Sequence, residues 1–289
     1  MRTARAAAGL AATRAQLQVL QAVAPTAAER KAIDLWCTYP GGARRRDQRP
    51  GPGEVTRLPA MRTGDVVVET WGEGPVVYLV HGWGGWRGQL GAFVAPLVAA
   101  GHRVVAFDAP GHGDAAPGFM GPGRGTLMEL LEAFQVAGRE MGPAAGVVAH
   151  SLGSTSAAHV VHEGFPAARL VLVSPNGSFV DLVGRFAGAL GLRGRTTNAL
   201  RAALEEATGH RLADFDIAPL GAAGGMPDTL VVHDRRDRQV SHAEGAAIAA
   251  AWPNARLVST DGLGHQRILA EPSVVAAAVT HISAAPPPA

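Results

Sequence analysis

The residue with the clearest capacity for chemistry is Ser151, in the sequence AHSLG at positions 149–153. An apolar run precedes this pentapeptide and a segment of helical length follows it, so the serine falls on a strand-to-helix turn. Such a sharp turn projects the serine Oγ clear of the sheet and forces together the residues two before and two after it, so both must be small. Ala149 and Gly153 meet that requirement. We predict that Ser151 is a nucleophile, and the alternative is a serine that caps a helix.

Two backbone N–H groups are predicted to stabilise the negative charge that develops on a carbonyl oxygen when Ser151 attacks the carbonyl carbon. The turn directs the N–H of Leu152 outward at the N-terminus of a helix, where an anion is favoured. The glycine-rich sequence HGWGG at positions 81–85 follows another apolar run, and we predict that Trp83 donates the second N–H. The alternative is a plain glycine-rich turn. A dinucleotide-binding loop is excluded, because the G-x-G-x-x-G spacing and a suitably placed downstream acidic residue are both missing.

A serine nucleophile needs a base, and the base needs a group that orients it. His265, in the sequence LGHQ at positions 263–266, is the predicted general base. It follows the candidate serine and aspartate in the chain, and the order Ser, Asp, His is typical of sites whose serine lies on a strand-to-helix turn. Asp237 follows the apolar run 229–232 and lies at the carboxyl end of a predicted strand, where open α/β sheets place ligands. We predict that Asp237 orients His265. Asp234 is the competing candidate, and the alternative for Asp237 is a loop salt bridge with a neighbouring arginine.

The elements that position these residues follow from the hydrophobic pattern. Short, nearly continuous apolar runs are typical of strands covered on both faces, and they fall at residues 76–80, 103–107, 146–150, 170–173, 229–233 and 256–259. Between them lie segments of helical length, at residues 90–100, 127–141, 152–163 and 242–251. This alternation predicts a parallel sheet wrapped by helices. Residues 65–70 and the turn at 72–75 predict an antiparallel hairpin.

Together these motifs resemble the α/β-hydrolase family, and the resemblance covers residues 65–278. The sequence FDAPGHG at positions 107–113 is similar to the family's D-x-P-G-x-G loop, and Ala149 stands where the family usually has glycine. The resemblance implies that this loop is structural, so neither Asp108 nor His112 is counted as catalytic. It also implies the fold class: an α/β-hydrolase fold, with a mostly parallel sheet wrapped by helices and a helical lid insertion.

For activity, the resemblance implies the serine esterase and lipase-like branch. Such enzymes cleave carboxylic ester or thioester bonds through an acyl-enzyme, here on Ser151, without a metal or an organic cofactor. Two alternatives stay open: a non-hydrolytic member of the fold, such as an acyltransferase, a lyase or a cofactor-free peroxidase, and a catalytically silent binding protein.

The predicted domain organisation is, in chain order, an N-terminal helical extension and linker at 1–59, a hydrolase domain at 60–283 and a disordered tail at 284–289. A lid insertion interrupts the hydrolase domain at about 176–227, where the pattern predicts two helices, the second ending at Gly209, and no strand. Phe179 and Phe186 of this insertion, with Trp83, predict an apolar substrate pocket. The alternative is that these side chains pack the lid onto the core.

The amino-acid composition bears on which classes of partner the protein binds and on the cellular compartment in which it works. The 289 residues are 47% hydrophobic and 17% charged, with a formal net charge of +2, which gives no electrostatic footprint for a nucleic acid. No segment is apolar for long enough to span a bilayer, and residues 1–24 predict an amphipathic helix rather than a signal peptide. The single cysteine, Cys37, fits a reducing compartment. We therefore expect a cytoplasmic enzyme that acts on a small-molecule acyl ester, and the sequence makes no prediction of oligomeric state.

Overall fold

The computed structural model describes residues 2–40, 47–62 and 64–284 of the chain. The chain forms two compact units. The helical unit consists of Met1–Thr38 and Ser178–Asp216, and the sheet unit consists of Tyr39–Gly177 and Ile217–Ala289. Most of the predicted N-terminal extension and most of the predicted lid insertion therefore belong to the same unit. The predicted disordered tail lies, apart from Ala284, outside the described residues.

The sheet unit is built on an eight-stranded sheet. Its strands are β1 (Glu54–Pro59), β2 (Asp65–Trp71), β3 (Val76–Val80), β4 (Arg103–Asp108), β5 (Ala144–His150), β6 (Arg169–Val173), β7 (Asp228–Asp234) and β8 (Ala255–Thr260). They lie in the order β1-β2-β4-β3-β5-β6-β7-β8, with β2 antiparallel to both β1 and β4 and all other neighbours parallel. The predicted mostly parallel sheet is confirmed, and each of the predicted apolar runs forms a strand.

Helices of the sheet unit flank this sheet. The described α-helices are α1 (Arg2–Val23), α2 (Pro25–Cys37), α3 (Val94–Ala99), α4 (Leu127–Met141), α5 (Leu152–His162), α6 (Phe179–Leu190), α7 (Gly194–Thr208), α8 (His242–Ala251), α9 (Gly264–Arg267) and α10 (Pro272–Ser283). On one face, Val148 of β5 and Val232 of β7 share an apolar cluster with Phe93 and with Leu97 of α3. Burying each such side chain contributes roughly 1.5–3 kcal/mol. This packing fixes the strands whose carboxyl ends carry the candidate site.

The predicted antiparallel hairpin was wrong, because β2 pairs with β4 and not with β3. The turn between β2 and β3 does exist, and Gly72 and Gly74 adopt positive φ angles of 69° and 105° there. A Cβ on Gly74 would lie 2.3 Å from the backbone oxygen of Gly101, so the turn packs tightly against the chain that leads into β4. In the sheet, β4 lies between β2 and β3 and pairs with both.

A further difference is β1, which lies inside the segment expected to be part of the N-terminal extension and linker. Five of its six residues are exposed. It occupies the edge of the sheet, and among the described residues β2 is its one strand partner. An edge strand exposed on both faces needs no apolar alternation, and this is why the sequence pattern gave no sign of it.

The helical unit contains α1, α2, α6 and α7, and its last two helices are the two predicted for the insertion. Gly209 follows α7 in the left-handed conformation at φ 73°, as its predicted position at a helix end requires. Ser178 caps α6 by accepting the N–H of Asp181 at 3.1 Å. No helix in the described part of the chain is both long and apolar enough to cross a membrane.

Candidate active site

Ser151 lies on the turn between β5 and α5 in a strained backbone conformation, with φ 54° and ψ −124°. The Ser151 N–H donates to the oxygen of Val173 at 3.0 Å, which ties this turn to the neighbouring strand. A Cβ on Gly153 would lie 2.4 Å from the backbone oxygen of His81, so no side chain fits there. Ala149 is fully buried. The strand-turn-helix setting predicted for Ser151 is therefore present, with small residues where the turn demands them.

The structure brings the side chains of Ser151, His265 and Asp237 together. His265 Nε2 lies 3.0 Å from Ser151 Oγ, and His265 Nδ1 lies 2.7 Å from Asp237 Oδ2. Asp237 follows β7 and His265 belongs to α9, which follows β8, so both come from the carboxyl ends of neighbouring parallel strands. With His265 Nδ1 donating to the carboxylate, Nε2 is left to accept a proton from the serine hydroxyl.

The Asp237 carboxylate is fully buried and surrounded by donors. Its Oδ1 accepts the N–H groups of Gln239 and Val240 at 2.8 and 3.1 Å. Its Oδ2 receives His265, and His233 Nε2 lies 3.5 Å away. Burial raises the pKa of Asp237, but hydrogen bonds from His233 and His265 outweigh it and hold the pKa far below the usual range. Asp237 is therefore ionised, and the side chains that contact it among the described residues are histidines rather than arginines.

Asp234, the competing candidate, makes different contacts. It accepts the N–H of Arg236 at 2.9 Å, the hydroxyl of Thr260 at 2.8 Å and the N–H of Leu263 at 2.9 Å. These bonds tie the loop that carries Asp237 to the turn that leads into α9. Asp234 thus supports both loops, and Asp237 is the carboxylate that contacts His265.

The HGWGG loop passes directly beside Ser151. A Cβ on Gly82 would lie 3.0 Å from the Cβ of Ser151, so the N–H of the next residue, Trp83, lies within the region of the serine. Leu152 is the first residue of α5, and the first N–H groups of a helix have no acceptor within it. The two predicted donors therefore lie on two backbone segments that meet at Ser151.

The side chain of His81 holds the HGWGG loop in place through two hydrogen bonds. Its Nδ1 donates to the oxygen of Gly82 at 2.8 Å, and its Nε2 accepts the N–H of Ala109 at 3.4 Å. Burial lowers the pKa of His81, which keeps the ring neutral and leaves Nε2 able to accept.

The D-x-P-G-x-G loop is structural, as expected. Asp108 Oδ1 accepts the backbone N–H of Arg87 at 2.6 Å, and its Oδ2 binds the Arg87 guanidinium and accepts the N–H of Asp114 at 2.9 Å. Arg87 also contacts Asp114 Oδ2 at 2.9 Å and Glu69 Oε2 at 2.6 Å. This buried ion cluster fixes the end of the HGWGG loop relative to β2 and β4. The sequence pattern gave no indication of Arg87 or Glu69.

The three predicted substrate-binding aromatics lie in different units. Trp83 is half-buried in the sheet unit, where its ring packs against Tyr39 with centroids 4.7 Å apart. Phe179 and Phe186 lie in the helical unit, where both rings contact Trp36, with centroids 5.8 and 5.1 Å apart. Packing within their own unit accounts for the aromatic spacing of α6.

Two buried histidines at this site were missed by the sequence analysis. His150 Nε2 lies 2.9 Å from the backbone oxygen of His265, and His233 Nε2 lies 3.2 Å from the oxygen of Val240. The only signal in the sequence was a polar residue at the end of an apolar strand run, which for His150 lies inside the serine motif itself. Within the described ranges no group of three or more His, Cys, Asp or Glu side chains could hold a metal ion.

Comparisons with known proteins agree with this architecture. A model of the alpha/beta hydrolase family matches residues 77–278, and the chain belongs to that family. No curated protein matches the chain significantly.

Among solved structures, a hydrolase from Pseudomonas aeruginosa is similar, with 22% identity, a TM-score of 0.60 and coverage of 81% of this chain and 100% of that one. An esterase from Exiguobacterium antarcticum has 15% identity, a TM-score of 0.62 and coverage of 80% and 100%. A bromoperoxidase from Bacillus anthracis has 16% identity, a TM-score of 0.59 and coverage of 79% and 99%. At these identities the similarity concerns the fold.

Proposed function

We propose that this chain is a serine hydrolase that cleaves carboxylic ester or thioester bonds through an acyl-enzyme on Ser151. The observation that carries the proposal is the pair of contacts at His265, 3.0 Å to Ser151 Oγ and 2.7 Å to Asp237 Oδ2. A nucleophile, a base and an orienting carboxylate in this arrangement activate a hydroxyl that is otherwise a weak nucleophile.

The proposed reaction has two halves. His265 Nε2 takes the Ser151 proton while Oγ bonds to the substrate carbonyl carbon, and the N–H groups of Trp83 and Leu152 stabilise the oxyanion, each by about 3 kcal/mol. The protonated His265 then gives its proton to the leaving alcohol or thiol as the bond from carbon to that group breaks. Water then attacks the acyl-enzyme carbonyl carbon while His265 takes its proton, and His265 gives that proton to Ser151 Oγ as the acyl bond breaks and the acid leaves. Asp237 stays ionised throughout and pairs with the imidazolium.

For the substrate, we propose a chemical class and not a particular compound. The HGWGG loop places the half-buried Trp83 next to Ser151, which favours a small-molecule ester with an apolar group. A cytoplasmic location is part of the same proposal, and the single cysteine supports it.

Covalent labelling tests the nucleophile. A fluorophosphonate probe should label the wild-type chain and should not label Ser151→Ala. Ser154→Ala is the matched control, because Ser154 lies on the same helix but donates its hydroxyl to the oxygen of Ala149 at 3.1 Å, away from His265. Labelling that persists in Ser151→Ala, or that is lost equally in Ser154→Ala, would contradict the assignment. Nitrophenyl esters of graded chain length then report the acyl preference.

A second candidate is a member of the fold in which a nucleophile other than water resolves the acyl-enzyme. The similarity to a bromoperoxidase keeps this reading open, although that similarity concerns only the fold. Ester cleavage no faster than the uncatalysed rate, together with acyl transfer to an added alcohol, thiol or peroxide, would favour it over hydrolysis.

A further inference from the structure

We propose that His150 is a positioning residue, whose hydrogen bond to the backbone oxygen of His265 sets the distance between that imidazole and Ser151. The inference rests on the proposed function, since it concerns the geometry of the serine and its base. It assigns a role to the residue that directly precedes the nucleophile and that touches neither the substrate nor the reacting atoms.

His150 occupies a position where its neighbours in the sheet are apolar. It pairs with Val173 of β6, which in turn pairs with Val232 of β7, and paired residues of parallel strands face the same side. Both valines belong to the apolar cluster, and His150 is only 1% exposed. Burying an imidazole there is unfavourable unless it gains a hydrogen bond. The bond that it gains is to His265, at 2.9 Å.

The contacts of His150 define its protonation. The partner is a carbonyl oxygen, so Nε2 must carry the proton and donate it. Nδ1 is buried, with no partner among the described residues, so a second proton there would be unsatisfied. Burial and the nearby His265 lower the pKa of His150 well below its ordinary value. A neutral ring therefore lies next to His265, with ring centroids 4.7 Å apart, and adds no charge that would oppose the imidazolium.

The segment that carries His265 needs such a tie. Helix α9 is only four residues long, and a helix of one turn has almost no internal hydrogen bonds to hold it. His150 links it to the residue beside Ser151 across 115 positions of sequence. A second tie, from Gln89 Nε2 to Gln266 Oε1 at 2.8 Å, joins the same segment to the helical turn after the HGWGG loop.

Ser151, His150 and His265 form a closed ring of contacts. Ser151 is fixed by its bond to Val173, His150 is its covalent neighbour, His150 holds the His265 backbone, and the His265 ring returns to Ser151 Oγ. Loss of the His150 donor opens this ring at one point. Displacing a base by about 1 Å can lower a rate by roughly 100-fold, so the effect should fall on catalysis rather than on substrate binding.

The test compares His150→Leu, which removes the donor, with His150→Gln, whose amide nitrogen can reach the same carbonyl. We expect His150→Leu to lower kcat and the fluorophosphonate labelling rate by roughly 10- to 100-fold with KM within about twofold, and His150→Gln to recover most of that loss. The matched control is His281→Leu. His281 is another buried histidine whose Nε2 donates to a backbone oxygen, that of Asp228, at 3.1 Å at the opposite end of β7. The His281→Leu variant should therefore leave kcat unchanged.

Each outcome separates this inference from the proposed function. Wild-type protein that neither cleaves esters nor reacts with the probe would overturn both. An active wild type with kcat and labelling rate unchanged in folded His150→Leu, or with equal losses in His150→Gln and His150→Leu, would overturn only the role of His150. Should His150→Leu fail to fold, His150→Gln is compared with His150→Asn, whose shorter amide falls short of the carbonyl. Equal kcat values for these two amides would then overturn the role.

Discussion

Replacing Asp237 with asparagine removes one charge and reverses one hydrogen bond. The amide oxygen must take the position of Oδ1 to keep the N–H groups of Gln239 and Val240, which lie at 2.8 and 3.1 Å. The amide NH2 group then faces His265 Nδ1, and two donors meet. His265 relieves this conflict by moving its proton to Nε2. In that tautomer it cannot accept the proton of Ser151.

The expected loss in kcat for Asp237→Asn is about 10⁴-fold, the size of the effect of the equivalent change in a serine protease with the same three side chains. This factor corresponds to about 5.5 kcal/mol of lost transition-state stabilisation. KM should change little, because the Asp237 side chain is fully buried and has no surface for a substrate to touch.

Asp234→Asn is the matched control, because it removes the same charge from the same loop. The new amide nitrogen must face the backbone N–H of Arg236 or of Leu263, so one hydrogen bond of the loop is lost, but His265 Nδ1 keeps its contact with the Asp237 carboxylate and the tautomer of His265 is preserved. We expect a loss of about 1–3 kcal/mol in the free energy of unfolding and a far smaller loss in kcat. Steady-state hydrolysis of a nitrophenyl ester, with urea unfolding to establish the folded fraction, measures both. Equal kcat losses, or a larger loss in Asp234→Asn, would refute the assignment of Asp237.

Three further perturbations follow from burial and charge. Burial raises the pKa of Asp234 but its hydrogen bonds lower it from 3.8 to about 2, so its stabilising effect is present above pH 4 and lost toward pH 2. The urea-unfolding free energies of wild type and Asp234→Asn should therefore converge as pH falls through that range. Gly153→Ala should abolish probe labelling and lower the free energy of unfolding by about 1–3 kcal/mol, because its Cβ would lie 2.4 Å from the His81 oxygen; full labelling would contradict this. Arg87→Met should lower the free energy of unfolding by about 3–5 kcal/mol, because it removes the guanidinium that pairs with buried Asp108, whereas Glu69 keeps its ion pair with Arg49; unchanged urea unfolding would contradict it.

The sequence alone predicted the parallel part of the fold and the three side chains that meet. Strands β3 to β7 are almost entirely buried and β8 is mostly half-buried, and a nearly continuous apolar run identifies each of them without knowledge of its partner. Ser151, Asp237 and His265 each follow such a run. The ends of parallel strands gather at one edge of a sheet, which favours the meeting of these residues. The choice of His265 also needed the chain order Ser, Asp, His of the family that the motifs resemble, and Asp234 remained an alternative to Asp237.

What the sequence did not predict depends on pairing between distant segments. The exposed strand β1 carries no apolar pattern, and the placement of β4 between β2 and β3 depends on which strands pair. The sharing of one unit by the N-terminal helices and the insertion is likewise a contact between segments far apart in the chain. Local propensity and spacing contain no information about these choices.

The same distinction applies inside the site. The groups proposed to react with substrate follow strands in recognisable motifs, whereas the buried histidines His81 and His150 near them are held by hydrogen bonds to backbone groups. His81 and His150 are held neutral, since burial lowers the pKa of both, and each bonds to backbone. Of the imidazoles beside Ser151, His265 alone has the serine hydroxyl on one nitrogen and the ionised Asp237 on the other. The positive charge that the proposed reaction creates is therefore paired at one ring. A variant that gives His150 a carboxylate partner would favour a protonated His150 beside the His265 imidazolium, and this should slow acylation.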